Sequence, residues 1–410
     1  IVGLAMMGFA EFGKFTYSGP AIAICLAITL LACLTLVPAL LSTRLGTAVA
    51  DHSSGTSATR WQNVWERLAD FILRQPRRIL LISFAIAAPL AFYGYTVDVT
   101  YDLLGELSPS RVSRQGTALL RRHFPEGEIG PLVVLAHTAQ GDLDTKEGQF
   151  RIAELVKPLD DLPEIAQVRS LYRPTGKAPG AVSVFSAEGI QLLAAQGSPL
   201  TKAAFVSQEG PFAGRVTRLF LIPRTAPFSQ EAMQVCDRVE EVLHQFSSDP
   251  ESPWHGTQFE LAGTSAGLRD LRNVTVADRR LIQVLVAGAV FLVILILLKR
   301  PVVCVYLIFT VLLSYFVTMG IAGLVFETLR GSAYVGLDWK VPLFLFVILV
   351  AVGQDYNIYL VSRVLEEQAR SGLRAGLRKD IIQPGGILTR CGVIMAGTFM
   401  SLAPVELHGQ

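Results

Sequence analysis

The sequence predicts a polytopic α-helical membrane protein that carries an α/β domain outside the bilayer. Three observations predict it. Hydrophobic residues make up 51% of the 410 and charged residues only 17%, where soluble domains carry about 25% charged residues. Mean hydropathy is +0.44. The apolar residues gather into runs near the length of roughly 20 that crosses the hydrocarbon core, and one long polar stretch separates the early runs from the late ones.

The same numbers narrow the function classes. A net charge of +2 gives no reason to expect nucleic acid, and no basic and aromatic stripe suggests it. Cys25, Cys33, Cys304 and Cys391 lie in apolar runs and Cys236 is alone in the polar stretch, so no disulfide framework or metal spacing is present. The six histidines are scattered as surface or packing residues. No nucleophile–base arrangement, phosphate loop or zinc spacing occurs, so neither an enzyme nor a bound cofactor is expected.

In chain order, residues 1–9 read as the tail of a membrane helix and Glu11-Phe12-Gly13-Lys14 as a polar break. Residues 16–41 form a full span, with Pro20 and Pro38 near its ends, where proline is tolerated. The chain opens on Ile1 inside an apolar run and stops at Gln410 just after another. The expectation is a fragment of a longer polypeptide, with no signal peptide to interpret. Residues 42–78 are a polar linker with Arg44, Arg60, Arg67, Arg74, Arg77 and Arg78 and a Ser/Gly/Thr-rich run at 52–59. Within it, Trp61, Val64, Trp65, Leu68, Phe71 and Ile72 fall at helical spacing, an amphipathic helix for the membrane interface. Residues 79–97 are the next span, kinked at Pro89. Residues 98–279 are polar. Four spans follow within 280–403, at 281–298, 302–326, 341–361 and 386–403, and 404–410 begin an outer loop.

Orientation follows from the short loops. The 44–78 linker, the Lys299-Arg300 turn and the 363–379 loop are basic, and successive crossings put all three on one side, the cytoplasm. The 98–279 stretch and the 327–340 loop then face outward. Arg279 and Arg280, on the outer side, run mildly against this.

The outer stretch alternates strand and helix. Residues 131–136 read as a strand and 146–157 as a helix with Phe150, Ala153 and Val156 on one face, ended or kinked by Pro158. Residues 168–171 return as a strand, and a Gly/Pro-punctuated stretch runs over 174–186. A second unit has strand 216–222, helix 229–246 with Met233, Cys236, Val239, Leu243 and Phe246, and strand 259–262. Two β-α-β units predict a split-βαβ, ferredoxin-like sandwich. Thr264 or Ser265 caps a helix that either runs on through Asp278-Arg279-Arg280 into the membrane or breaks at a hinge there.

Asp355 is the residue that points to function. It lies inside the apolar run 341–361, and Tyr356 and Asn357 follow it, so the polar groups cluster at one level. A carboxylate at membrane depth costs on the order of 2.5–3.5 kcal/mol at a helix centre and marks proton or ion pathways. The alternative is a carboxylate that only pins neighbouring helices. Arg390, in the next span, lies at similar depth. It either pairs with Asp355, the pair breaking on protonation, or snorkels to the cytoplasmic headgroups. Glu11 and Glu406 read as interfacial residues. Gly320, Gly323, Gly392 and Gly397 suit close helix packing.

The run Gly353-Gln354-Asp355-Tyr356-Asn357-Ile358-Tyr359-Leu360-Val361-Ser362-Arg363, followed by Glu366-Glu367, resembles the Gly-x-Asp-Tyr signature of the large mycobacterial-type membrane proteins (MMPL) of the resistance–nodulation–division (RND) transporter superfamily. Tyr101-Asp102-Leu103-Leu104 with His123-Phe124-Pro125-Glu126-Gly127-Glu128 is similar to the start of that family's second exoplasmic domain. Thr35-Leu36-Val37-Pro38-Ala39-Leu40-Leu41 resembles the end of its sixth span. The resemblance covers nearly the whole chain. It implies a truncated RND/MMPL architecture: residues 1–41 end the first membrane repeat, and residue 79 onward supplies the seventh span, the second exoplasmic domain and spans eight to eleven. The first repeat's own Asp-Tyr pair would be missing.

The resemblance also implies a mechanism. Asp355 and Tyr356 would relay protons inward, with Asn357 and Arg390 as candidate relay partners, and the exoplasmic domain would convert the resulting motion into substrate movement. Arg390 departs from the family, which more often has a small or hydroxyl residue there. The implied activity is proton-driven export of lipids or other hydrophobic compounds across the bacterial inner membrane. The implied partners are that substrate, membrane lipids and protons, with a homo-oligomer or accessory periplasmic proteins left open. A sterol-sensing, Patched-like receptor and a SecDF-like export helper share the superfamily fold and stand as alternatives. The single outer cysteine speaks against the receptor, although Asn273-Val274-Thr275 matches the glycosylation pattern.

Overall fold

The described residues fall into two units, Ile1–Thr100 with Val274–His408, and Tyr101–Asn273. The structure is a computed structural model that describes residues 1–43, 57–102, 104–105, 107–108, 110–139, 141–176, 198–331, 334–371 and 373–401. The run 51–56, the stretch 177–186, Glu406 and residues 404–410 lie outside the described residues, as do the side chains of Trp61 and Val64.

The chain opens not as one long helix but as a single turn, α1 (Val2–Ala5), and a 3₁₀ turn, Met6–Phe9. Helix α2 (Gly13–Leu41) then folds back on them. Gly19 permits this approach: a Cβ there would stand 2.4 Å from Met7 Cβ and 2.6 Å from the Leu4 carbonyl oxygen. Helix α3 (Ser57–Arg74) takes in the expected amphipathic segment. Its Trp65 ring leaves no space for a Cβ at Gly385, the nearest ring atom being 2.6 Å away. Helix α4 (Pro76–Thr96) starts on a proline in its first turn, where the missing N–H costs nothing, and runs through Pro89. The chain then leaves through the two-residue strand β1 (Val99–Thr100).

The α/β unit begins with α5 (Val112–His123) and the single turn α6 (Glu126–Ile129), neither anticipated from sequence. Strand β2 (Leu132–His137) buries alternate residues, Leu132, Val134 and Ala136, the period expected of a sheet with one covered face. Helix α7 (Lys146–Asp160) is capped by Thr145, whose hydroxyl accepts the Gly148 N–H. Pro158 does not end it: the helix runs to Asp160, because a proline in the last turn removes one hydrogen bond near a frayed end. Strand β3 is Ile165–Arg169 rather than 168–171. Ser170 and Arg173 exchange backbone hydrogen bonds of 3.1 and 3.0 Å, a tight turn that stops the strand at Arg169. After α8 (Pro199–Phe205) come β4 (Val216–Pro223), α9 (Gln230–Ser248) and β5 (Gln258–Ala262).

The sheet order is β3-β4-β2-β5, and every neighbouring pair is antiparallel. Strands β2 and β3, joined by α7, therefore run parallel with β4 between them. Strands β4 and β5, joined by α9, run parallel with β2 between them. The covered face packs Val134, Leu219 and Leu221 against Ile152, Val156, Val235 and Val239 of the two helices. Trp254 closes this core. It is fully buried, its Nε1 donates to the Arg151 carbonyl at 3.0 Å, and the Arg151 guanidinium lies 4.9 Å above its ring. Trp254→Ala is expected to cost about 3–5 kcal/mol, read as a lowered unfolding midpoint of the purified protein. Burial pushes the Cys236 thiol up to about 11. The unfolded chain gives up that proton first, so stability is expected to hold below pH 9 and to fall as pH rises from 9 to 11. Thermal melts across that window check it.

Helix α10 (Thr264–Leu298) is one unbroken helix that runs on through Asp278-Arg279-Arg280. In the α/β unit its first turns hold α9: Arg269 is paired with Glu240, and Arg272 lies 3.1 Å from Asp237. Helix α11 (Pro301–Arg330) crosses α4 closely. Gly94 and Gly320 meet at the crossing, where a Cβ on Gly94 would stand 1.9 Å from the Phe316 carbonyl oxygen. Strand β6 (Leu337–Asp338) then pairs parallel with β1, Val99 opposite Leu337 and Thr100 opposite Asp338. Helices α12 (Lys340–Ser371) and α13 (Leu373–Met400) follow.

Among the described residues, five helices are long and apolar enough to cross a membrane: α2, α4, α10, α11 and the Lys340–Glu366 part of α12. The sixth expected span, 386–403, falls in α13, which is not one of the five. Among the described residues, an added Cβ at Gly392 or Gly397 of α13 meets nothing within 4 Å.

Candidate functional site

Helix α12 starts where Asp338 Oδ1 accepts the Lys340 N–H at 2.8 Å, and the Tyr315 hydroxyl of α11 donates to the Pro342 carbonyl at 3.2 Å. The apolar residues that follow pack one face of α12 against its neighbours. Ile358 and Val361 lie against Ile294 of α10 and Cys304 and Leu307 of α11, all three nearly or fully buried.

Asp355 sits on a different face. Its side chain is exposed, as are Tyr359, Ser362 and Glu366, which follow at helical spacing of four, seven and eleven residues. Tyr356 and Asn357 are half-buried beside it. Among the described residues, no hydrogen bond or ion pair joins Asp355, Tyr356, Asn357 and Arg390 to one another. Arg390, on α13, is exposed too, and no ion pair joins it to Asp355. The two side chains stand on uncovered faces of their helices, so nothing forces them to pair.

The residue next to the carboxylate behaves differently. Gln354 is 1% exposed. Its Nε2 donates to the Leu307 carbonyl at 3.0 Å, and its Oε1 is buried with no hydrogen-bond partner among the described residues. The Nε2 hydrogen bond ties α12 to α11 one residue from the uncovered carboxylate, while the buried oxygen without a partner is costly in an apolar surround. Sequence reasoning passed over it, although a glutamine in an apolar run is itself a signal. It also passed over Asp278 of α10, which is 3% exposed and accepts the N–H groups of Glu11 and Phe12, each at 2.8 Å. Glu11 itself is exposed. Groups of three or more histidine, cysteine, aspartate or glutamate side chains that could hold a metal are absent among the described residues.

Several apolar helices long enough to span, with a carboxylate set into one of them, define a multi-pass membrane protein. The sequence model of the MMPL family matches residues 1–79 and 107–408, and the chain belongs to that family. It is 29% identical over 412 residues to ActII-3, a membrane protein of Streptomyces coelicolor, covering 99% of this chain and 49% of that protein. It is 25% identical over 426 residues to the apo-petrobactin exporter of Bacillus anthracis, covering 100% of this chain and 51% of that one. Over 205 residues it is 34% identical to the sulfolipid-1 exporter MmpL8 of Mycobacterium tuberculosis, covering 50% of this chain and 18% of that protein. The chain spans about half the length of the first two relatives.

Proposed function

We propose that the protein exports lipids or other hydrophobic compounds across the bacterial inner membrane and that protons passing through Asp355 drive the cycle. One observation carries this reading: a carboxylate inside a spanning helix, on a face that the described chain leaves open, within a Gly-x-Asp-Tyr sequence. A carboxyl withdrawn from water can cycle between charged and neutral forms. Each form favours a different packing of the helices around it, and that difference biases one conformation over another. Tyr356 and Asn357 supply hydrogen bonds to the relay. The α/β unit, on the periplasmic side, is the ferredoxin-like domain that moves substrate; the β3-β4-β2-β5 order supports that class. The names of two relatives, exporters of a petrobactin and of a sulfolipid, support export over a receptor or a protein-export helper.

The test compares cells with and without the protein. Mass spectrometry of surface lipids and secreted hydrophobic compounds is expected to show a defined set that disappears with the protein and also after a protonophore. Identical profiles in the two strains sink the export reading, and a set that survives the protonophore sinks proton drive. Arg390→Ala is expected to leave export intact, because among the described residues no ion pair joins Arg390 to Asp355. A loss of export in that variant, at unchanged protein level, would restore the Asp355–Arg390 pair.

A further inference from the structure

We infer that Asp278 is a positioning residue for transport, one that fastens the entry of α2 to α10 so that the two shift together; this rests on the export reading. Asp278 is a carboxylate that the relay does not use. It is 3% exposed, and each of its oxygens takes one backbone N–H, Glu11 on Oδ1 and Phe12 on Oδ2, both at 2.8 Å. Hydrogen bonds to an ionised acceptor are roughly twice as strong as neutral ones, and two of them fix the chain entering α2 in both position and orientation.

That chain entry is held on its other side as well. The Phe12 ring meets Trp339 at 5.5 Å between centroids, and Phe15 meets Trp339 at 6.0 Å and Phe344 at 5.9 Å. Phe344 belongs to α12, the helix that carries Asp355, and Trp339 directly precedes it. Asp278 thus joins α10 to an aromatic cluster at the start of the relay helix. Contiguous packed groups of this kind carry coupling when the elements they join have two arrangements. Without the carboxylate, α10 can shift while α2 and the start of α12 stay behind.

The test is Asp278→Asn, which keeps the side chain's volume but leaves one of the two amides facing a donor. Three quantities are read. Hydrogen exchange of the Glu11 and Phe12 amides and the melting temperature are measured on the purified protein. Export is measured in cells as a function of the proton gradient, by mass spectrometry of surface lipids and secreted hydrophobic compounds. Exchange at the two amides is expected to rise about tenfold. Maximal export is expected to fall about tenfold while the gradient giving half-maximal export stays, the mark of a lost turnover step rather than lost proton binding. Asp278→Glu, which restores two acceptor oxygens, is expected to recover most of the rate. Faster exchange with undiminished export overturns the inference and leaves the export reading standing. So does a fall in export no larger than the fall in folded protein, or unchanged exchange at both amides. Wild-type cells whose profile matches cells lacking the protein overturn the export reading itself, and the inference falls with it.

Discussion

Asp355→Asn is expected to reduce proton-driven export to the level of cells that lack the protein. Asparagine has nearly the shape of aspartate and can make similar hydrogen bonds, but it can neither take up nor release a proton. A proton shifts a conformational equilibrium only by as much as its affinity differs between the two states. The asparagine variant forfeits all of that difference. The substitution also lowers the cost of placing the helix in lipid, since a charge at the helix centre costs on the order of 2.5–3.5 kcal/mol. The variant should therefore insert at least as well as the wild type. Equal protein in the membrane, no export and no response to a protonophore is the expected combination. Export at the wild-type rate would make the carboxylate a structural residue and remove the basis for the proposed mechanism.

Gly320→Val and Gly94→Val are expected to separate α4 from α11. A Cβ at Gly320 would stand 2.2 Å from the Leu90 carbonyl oxygen, and one at Gly94 would stand 1.9 Å from the Phe316 carbonyl oxygen and 2.7 Å from the Gly320 nitrogen. These obstacles are backbone atoms, which cannot swing aside as a flexible side chain can. The helices must move apart, and in a membrane, where helix association rests on close packing, little else replaces the lost contact. The cost is expected to be on the order of 3 kcal/mol, seen as a lower melting temperature and less folded protein in the membrane. Gly392→Ala and Gly397→Ala serve as controls and are expected to change neither, because an added Cβ there meets nothing within 4 Å. Valine at position 320 with an unchanged melting temperature would show that the two helices do not depend on this crossing.

Asp355 was legible in the sequence because one acidic residue inside an apolar run contradicts its surroundings. The five long apolar helices were legible for the converse reason, since runs of apolar residues of that length have few other uses. Of the packing glycines, Gly320 and Gly392 look alike in sequence, and only the neighbour decides between them: Leu90 lies against one, and no described residue comes within 4 Å of an added Cβ on the other. The continuity of α10 was open because a helix passing out of the polar stretch carries no residue that marks the crossing, and Arg279-Arg280 fits a break as well as a surface turn. The end of β3 depended on a turn between Ser170 and Arg173 made by backbone groups. Asp278 was illegible for a related reason. Its partners are main-chain amides 266 and 267 residues away, and an amide has no residue type to recognise.

The two-residue pairing of β1 with β6 has an unusual genetic signature. It ties the point where the chain leaves α4 to the point where it enters α12, through Leu337 N–H to the Asp98 carbonyl at 2.9 Å and Trp339 N–H to the Thr100 carbonyl at 3.1 Å. Both links are made by main-chain atoms, which every amino acid except proline supplies equally. An alanine scan of this knot therefore reads out only its side chains and is blind to the tie itself. Proline at position 337 or 339, each of which deletes one of the two donors, cuts the tie directly.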